Sequence, residues 1–375
     1  MQCYSKDTKT DYKRLGDYIR EVDVRNRDLE VTKLLGVSIS KEFMPSIANT
    51  IGTDMSSYKV VEPRQFVYIA DTSRRGDKIA IALLREKNKK AIVSSIYTVF
   101  EVKNKQELLP EYLMMWFRRP EFDRYARFKS HGSAREIFSW EEMCDVELPV
   151  PPIGQQQKIV SEYEAITRRI RLNEQIIAKL EETAQTLYHK MFVDGIDKKN
   201  LPEGWKMGTL GEIAAIKAGG DKPKEFSNYS TDQYEIPVIA NGVENMGVVG
   251  YTKHSVIKEP AITISARGTI GVCFVRRKPY YPIVRLISVI PHDKNFLHNL
   301  WFQLSSKQFE GDGSVQNQLT IPVLEREEVM IPEHKILEEF ERRMSLIGNV
   351  IDLKTKQNRK LNELQSLLLA KMGQI

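Results

Sequence analysis

The 375-residue chain has little sulfur and little histidine. Its cysteines, Cys3, Cys144 and Cys273, stand far apart and form no Cys-x-x-Cys pair. That excludes a disulfide framework and a thiolate zinc site, and it fits a reducing cytoplasm. The 6 histidines are dispersed and none belongs to a His-Glu-x-x-His motif, so metal-assisted hydrolysis has no support. The longest apolar runs, such as Ala261 to Ala266, fall far short of the roughly 20 residues a membrane span needs. Met1 to Arg14 is polar, and the expectation is that no signal peptide is present. A Gly-x-x-x-x-Gly-Lys-Ser/Thr phosphate loop is missing, and so is a Gly-x-Ser-x-Gly elbow. Gly268-Thr269-Ile270-Gly271 lacks the three-glycine spacing of a dinucleotide fingerprint. No catalytic residue and no metal ligand is expected.

The charge is equally uninformative in bulk. The net +6 divides into +3 over residues 1–152 (26 basic, 23 acidic) and +1 over 153–193 (6 and 5). Residues 194–332 are neutral (16 and 16), and 333–375 carry +2 (8 and 6). A nucleic-acid partner would therefore need locally clustered cations. With 41% hydrophobic and 28% charged residues, the chain can build real cores, and its length suits two or three domains.

What is present is a repeat. Gly132-Ser133 recurs as Gly313-Ser314, Glu147 as Glu328 and Pro151 as Pro332, all at an offset of 181. Lys179-Leu180-x-Glu182 recurs as Lys360-Leu361-x-Glu363, and Leu187-x-x-Lys190-Met191 as Leu368-x-x-Lys371-Met372. Upstream the offset drifts: Ser73-Arg74-Arg75-Gly76 aligns with Ser265-Ala266-Arg267-Gly268 at 192, and Trp116-Phe117 with Trp301-Phe302 at 185. A frame is kept while its loops vary, as expected of two specificities on one scaffold.

The strict part of the repeat predicts long helices. After Pro151-Pro152 an apolar seam runs Ile159, Tyr163, Ile166, Ile170, Asn173, Ile177, Leu180, Ala184, Leu187, Met191, with spacings of 4 and 3. Such a helix is about 50 Å long. Adding 181 gives Phe340, Met344, Ile347, Ile351, Lys354, Asn358, Leu361, Gln365, Leu368, Met372. The two seams most simply pack on each other as an antiparallel coiled coil, with Asn173 and Asn358 fixing register or lying at a wet edge. The alternative is that each helix only covers its own domain.

The organisation read from the sequence is residues 1–152 as a first globular domain, 153–193 as a central helix, 194–332 as a second globular domain and 333–375 as a distal helix. Turn residues Gly195, Pro202 and Gly204 mark the linker. The class is α+β, with two mixed domains separated by two long helices and related by a rough internal twofold. Strands are predicted at residues 65–70, 79–84, 91–102, 236–240, 261–265, 271–276 and 284–290. Short helices are predicted at 108–117 and 296–304.

Candidate DNA contacts are Arg74, Arg75 and Lys78 in one turn, with Arg267 and Thr269 in its counterpart. Arginine forks suit guanine edges and phosphates. In the stretch from Arg118 to Arg135, Arg124 and Arg127 interleave with Phe122, Tyr125 and Phe128, as a phosphate-positioning face or as a solvated face over an aromatic stripe. Arg276, Arg277 and Lys278 form either a phosphate clamp or a plain hairpin tip. Glu101-Val102-Lys103, with Asp71, has the look of half a metal-dependent nuclease site, a short pattern that arises easily by chance.

The order of these features resembles the specificity subunit of type I restriction–modification enzymes. Leu148-Pro149-Val150-Pro151-Pro152, followed by Gln155-Gln156-Gln157 and Ile159-Val160, looks like that family's entry into its central helix. Leu201-Pro202-Glu203-Gly204-Trp205 with Leu210-Gly211-Glu212-Ile213 looks like the start of its second target-recognition domain. Ile264-Ser265-x-Arg267-Gly268-Thr269-Ile270-Gly271 matches as well. The distal helix departs from the pattern, lacking the double proline and the glutamine run. The resemblance implies a non-catalytic cytoplasmic reader of double-stranded DNA that binds no cofactor itself. Each domain would read one part of an asymmetric bipartite site, and the helices would set the spacer. Two methyltransferase subunits would bring S-adenosylmethionine, and restriction/translocase subunits would bring ATP and Mg. Readings from other classes are a coiled-coil scaffold with two protein-binding heads, and a standalone nuclease.

Overall fold

The structure is a computed structural model that describes residues 12–46, 52–71, 78–85, 89–131, 136–309 and 318–374. The chain divides into two compact units, one comprising Met1–Asn173 and Thr355–Ile375, the other Glu174–Lys354. Each holds one globular part and one stretch of each long helix. The central helix is Ile153–Phe192 (40 residues) and the distal helix is His334–Lys371 (38 residues).

In the first unit, four antiparallel strands lie in the order Ile19–Val22, Thr98–Val102, Phe66–Tyr68, Ile81–Leu83. Phe66 pairs with Phe100 across the sheet, and their rings stack at 4.8 Å. The helix Pro110–Phe117 starts on a proline, which suits a position without an amide donor, and it is buried on nearly every side. Leu15, Phe66, Phe100, Tyr112 and Phe117 form the fully buried centre of the core. Tyr12–Arg14 pairs antiparallel with Glu147–Pro149, so the start of the domain is stitched to the strand that precedes the central helix.

The second unit repeats this frame. Its four antiparallel strands lie in the order Ala214–Ala218, Ile287–Pro291, Ala261–Ile264, Cys273–Arg276. Lys206–Thr209 pairs with Glu328–Ile331, the strand before the distal helix. A buried leucine follows each opening strand, Leu15 in one unit and Leu210 in the other. The second unit also has a three-stranded sheet of Val248–Thr252, Ile236–Ile239 and Tyr281–Pro282, its last pairing parallel, and the first unit has two-stranded pairs of Leu35–Val37 with Phe43–Pro45 and Lys59–Val61 with Ala91–Val93.

The helix segments run antiparallel within each unit. In the first, Gln365 Nε2 donates to Thr167 Oγ1 (2.6 Å) and Asn173 Nδ2 to Asn358 Oδ1 (2.8 Å), so one number falls as the other rises. Asn173 is fully buried, which places this pair inside the seam. In the second unit, Phe192 packs edge-on against Phe340 (4.9 Å), and Ala184 and Met344 share the same core. Every predicted seam residue, from Ile159 and Ile166 to Leu361 and Leu368, is buried or half-buried.

Two predicted strands divide. Ala91–Val93 and Thr98–Val102 are separate because the chain turns at Ser94, where Tyr97 N donates to Ser94 O (3.1 Å). The strand predicted from Val284 starts only at Ile287, because Val284 and Arg285 have φ of +54° and +58°. The glutamine run before the central helix acts as a lock. Gln156 is fully buried, donates to Glu107 O (2.7 Å) and Pro151 O (2.8 Å), and accepts from Leu109 N (2.9 Å). In the second unit a side chain from elsewhere does this work: Gln303 donates to Met330 O (2.9 Å) and accepts from Met330 N (2.8 Å).

Candidate nucleic-acid interface

Four connections of the second unit meet at one end of its sheets. The turn after Ala261–Ile264 is closed by Gly271 N donating to Ser265 O (2.9 Å) and Ser265 N to Val272 O (3.0 Å). Gly268 and Gly271 have φ of +70° and +85°, conformations that favour glycine. The turn lifts Arg267, Gly268 and Thr269 into solvent. There the Arg267 guanidinium donates to Gln318 Oε1 through Nε (3.1 Å) and Nη2 (2.9 Å).

Asn241 ties this turn to two others. Its Oδ1 accepts from Ala266 N (2.8 Å) and its Nδ2 donates to Val284 O (2.7 Å). The backbone at Val284 and Arg285 is held from the far side by Val284 N to Gly220 O (2.9 Å), Arg285 N to Gly219 O (3.0 Å) and Gly219 N to Leu286 O (2.8 Å). A β-carbon at Gly219 would lie 2.6 Å from the Pro282 backbone, so only glycine permits this approach. Consecutive left-handed residues, one of them β-branched, cost about 1–3 kcal/mol each and persist where the surroundings over-determine them. Here they hold out Val284, 51% exposed, and Arg285, whose guanidinium has no hydrogen bond or ion pair among the described residues. Asn245 and Met246, in the turn after Ile236–Ile239, are also left-handed (φ 47° and 51°), and Met246 is exposed.

Arg276 and Arg277 lie elsewhere. Arg276 turns inward, donating Nε to Thr263 Oγ1 (2.9 Å) and Nη2 to Met246 O (2.6 Å) over the Phe274 ring. Burial lowers its pKa to about 10. Neither a clamp on solvent-borne phosphate nor a hairpin tip describes it, because its guanidinium is spent inside the sheet. Arg277 pairs with Asp352 of the distal helix (3.0 Å) and reaches His298 Nε2 (3.4 Å). It lies flat on Gly348, where a β-carbon would fall 1.9 Å from Nη2. It anchors the second domain to its stretch of helix.

Arg74, Arg75, Gly132-Ser133 and Arg135 of the first unit lie outside the described residues, as does Gly313-Ser314 of the second. Lys78, which follows Arg74 and Arg75 in the sequence, is exposed. Its neighbour Ile79 is fixed from below by N donating to Asp123 Oδ1 (3.1 Å), which also takes the buried Lys41 Nζ (2.7 Å). Burial pushes the Lys41 ammonium down and Asp123 offsets part of that. On the helix Pro120–Phe128, Phe122 enters the core while Arg124 and Arg127 stay outside, paired with Glu121 (3.3 Å) and Glu136 respectively. Phe128 is 80% exposed. Glu101 is engaged by Arg20 (2.6 Å) and Gln65 (3.0 Å), and Lys103 Nζ donates to the Gly16 (2.9 Å) and Asp17 (3.1 Å) carbonyls. They are braces of the sheet edge, not a nuclease pair. No cluster of metal-ligating side chains occurs among the described residues.

The long helices also carry apolar residues that their seam does not use. Leu346, Val350 and Leu353 are exposed on the second unit's stretch of the distal helix, and Leu364 and Leu367 on the first unit's. They follow each other at the spacings of a second heptad stripe.

A duplicated α+β frame, with strained, cation-bearing loops in the second copy and each copy feeding a heptad helix, defines a class of paired globular domains on long helices. A family profile described as the type I restriction modification DNA specificity domain matches residues 38–182 and 202–363, and the chain belongs to that family. It is 28% identical over 260 residues to a putative type I specificity subunit of Mycoplasma pneumoniae, covering 66% of this chain and 76% of the relative. It is 22% identical over 368 residues to the type I restriction enzyme HindI specificity subunit of Haemophilus influenzae, covering 75% and 80%. The crystal structure of a type I restriction–modification system S subunit from M. genitalium shares the fold, with a TM-score of 0.67 at 13% identity, covering 99% of this chain and 98% of that one.

Proposed function

We propose that this chain is the non-catalytic DNA-recognition subunit of a type I restriction–modification complex, reading an asymmetric bipartite site with residues 1–152 and 194–332. The observation that carries the reading is the shared frame with unlike loops. The four-stranded order is the same in both copies, whereas beside it the second has the three-stranded sheet that supports Asn241 and its turn, and the first, among the described residues, has two-stranded pairs of Leu35–Val37 with Phe43–Pro45 and Lys59–Val61 with Ala91–Val93. Two copies that keep one frame and vary their loops suit two different half-sites. Arg267, Thr269 and Arg285 are its readers in the second domain, and Arg74, Arg75 and Lys78 in the first. Arg124 and Arg127 position phosphates.

The helices, of 40 and 38 residues, rise about 1.5 Å per residue and outspan one duplex turn, so they set the unread spacer. Their exposed stripe, with Leu346, Val350 and Leu353, receives helices of two methyltransferase subunits. Those subunits carry S-adenosylmethionine, and restriction/translocase subunits carry ATP and Mg. A cytoplasmic location goes with a DNA partner, and no described helix is long and apolar enough to cross a membrane. A gel shift of the chain with its methyltransferase subunits tests the reading. Salt-sensitive binding that prefers one duplex sequence is expected, and equal affinity for all sequences would overturn it.

A further inference from the structure

A cleft of about 890 Å³ opens in the first unit between the globular part and the central helix. We infer that its rim is a contact for the backbone phosphates of duplex DNA, separate from the loops that read bases. The inference rests on the DNA-reading function proposed above.

The cations inside the cleft are already neutralised. Arg64 pairs with Glu111 (2.9 Å), Arg118 with Glu42 (2.5 Å), and Lys41 with Asp123 beneath the floor (2.7 Å). Arg85 meets Glu164 of the central helix at 3.3 Å. Surplus charge remains only on the helix side, at Arg168 and Arg171. Both are exposed, and neither forms a hydrogen bond or ion pair among the described residues. A spacing of three puts them on one helix face, with β-carbons about 5–6 Å apart.

The repeat supplies an internal control. At the offset of 181 the equivalents of Arg168 and Arg171 are Asn349 and Asp352. There Asp352 receives Arg277 of the second domain at 3.0 Å, and the charges cancel. One copy of this helix face is used up in holding its own domain, whereas the other keeps two guanidinium forks with nothing to bind. A small anion would need free charge deep in the cavity. Free charge on the lip, spread along a helix, suits a rod-like polyanion lying across the mouth. Guanidinium forks match phosphate oxygens in pairs.

The test uses the full chain assembled with its methyltransferase subunits, and measures duplex affinity over a salt series. Arg168→Gln/Arg171→Gln is expected to reduce the slope of log K against log[salt] by about 1.8, since each B-DNA phosphate left without its cation is worth about 0.9. Binding to cognate and non-cognate duplex should weaken by the same factor. Glu164→Gln frees Arg85 on the same rim and should raise the slope, a gain that misfolding cannot mimic. Arg169→Gln, one residue along and outside the cleft, should leave the slope alone. An unchanged slope in the double variant would overturn the inference. So would weakening confined to cognate duplex, or loss of methyltransferase assembly on gel filtration in the double variant. Failure of the wild-type complex to bind duplex would overturn the DNA-reading function as well.

Discussion

At the scale of single residues, the second domain divides its arginines by occupation. Arg276 and Arg277 stand side by side and are both consumed by the protein itself, whereas Arg285 is offered outward on a strained backbone. Arg285→Ala should therefore leave folding stability within about 0.5 kcal/mol. It should slow methylation of duplexes through one half-site only, by the 1–3 kcal/mol typical of a bidentate base contact, roughly 5- to 150-fold. Methylation rates on duplexes altered in each half-site check this, and an equal drop at both would contradict the assignment. Glu101 gives a pH signature. Burial alone would raise its pKa, but hydrogen bonds from Gln65 and Arg20 hold it below the ordinary 4.5. A depressed carboxylate adds stability above its unfolded value and loses it as pH falls through the folded one. Denaturation below pH 4.5 should thus be shallower in Glu101→Gln than in the parent. The exposed position of Arg267 was legible in the sequence because Arg-Gly recurs there between strand-like segments. The positions of Arg285 and Asn241 were not, since a positive φ at valine and the two hydrogen bonds that join Asn241 to Ala266 and Val284 leave no trace in composition or spacing.

At the scale of elements, the heptad period carried most of the information. Spacings of 4 and 3 locate both helices, and every seam position is at least half-buried. The sheets were harder. Their strands are short, mostly three to five residues, and continuous β-branched runs conceal the turns between them, as at Ser94. Within the helix pair, the buried Asn173 donates to Asn358 in the seam. Replacing one strands the other's amide, at about 1–3 kcal/mol, while replacing both removes the need. Asn173→Leu and Asn358→Leu should each lower the denaturation midpoint, and the double variant should recover to within about 1 kcal/mol of the parent. Additive losses in the double-mutant cycle would mean that the amides are not coupled. Gln156 shows a further limit of pattern reading. The run Gln155-Gln156-Gln157 marks a helix entry in the sequence, but that only the middle residue bolts the helix to Glu107, Leu109 and Pro151 depends on the fold.

At the scale of the whole molecule, the two copies are alike from the last strand into the helix and unlike in their loops, which suits the common partners and different half-sites of the proposed function. The register of 181 holds from strand to helix, and upstream the offset drifts to 185 at Trp116 and 192 at Ser73. The same divergence reaches the helices: Arg168 and Arg171 in one copy correspond to Asn349 and Asp352 in the other. Above all, the helices are proposed to measure a spacer between two independently read half-sites. Sequencing of modified bases in host DNA decides this, comparing the parent chain with a variant lengthened by one heptad in both seams. The expected outcome is a bipartite motif whose half-sites stay the same and whose unspecified spacer changes length. A motif with an unchanged spacer, or with altered half-sites, would contradict it.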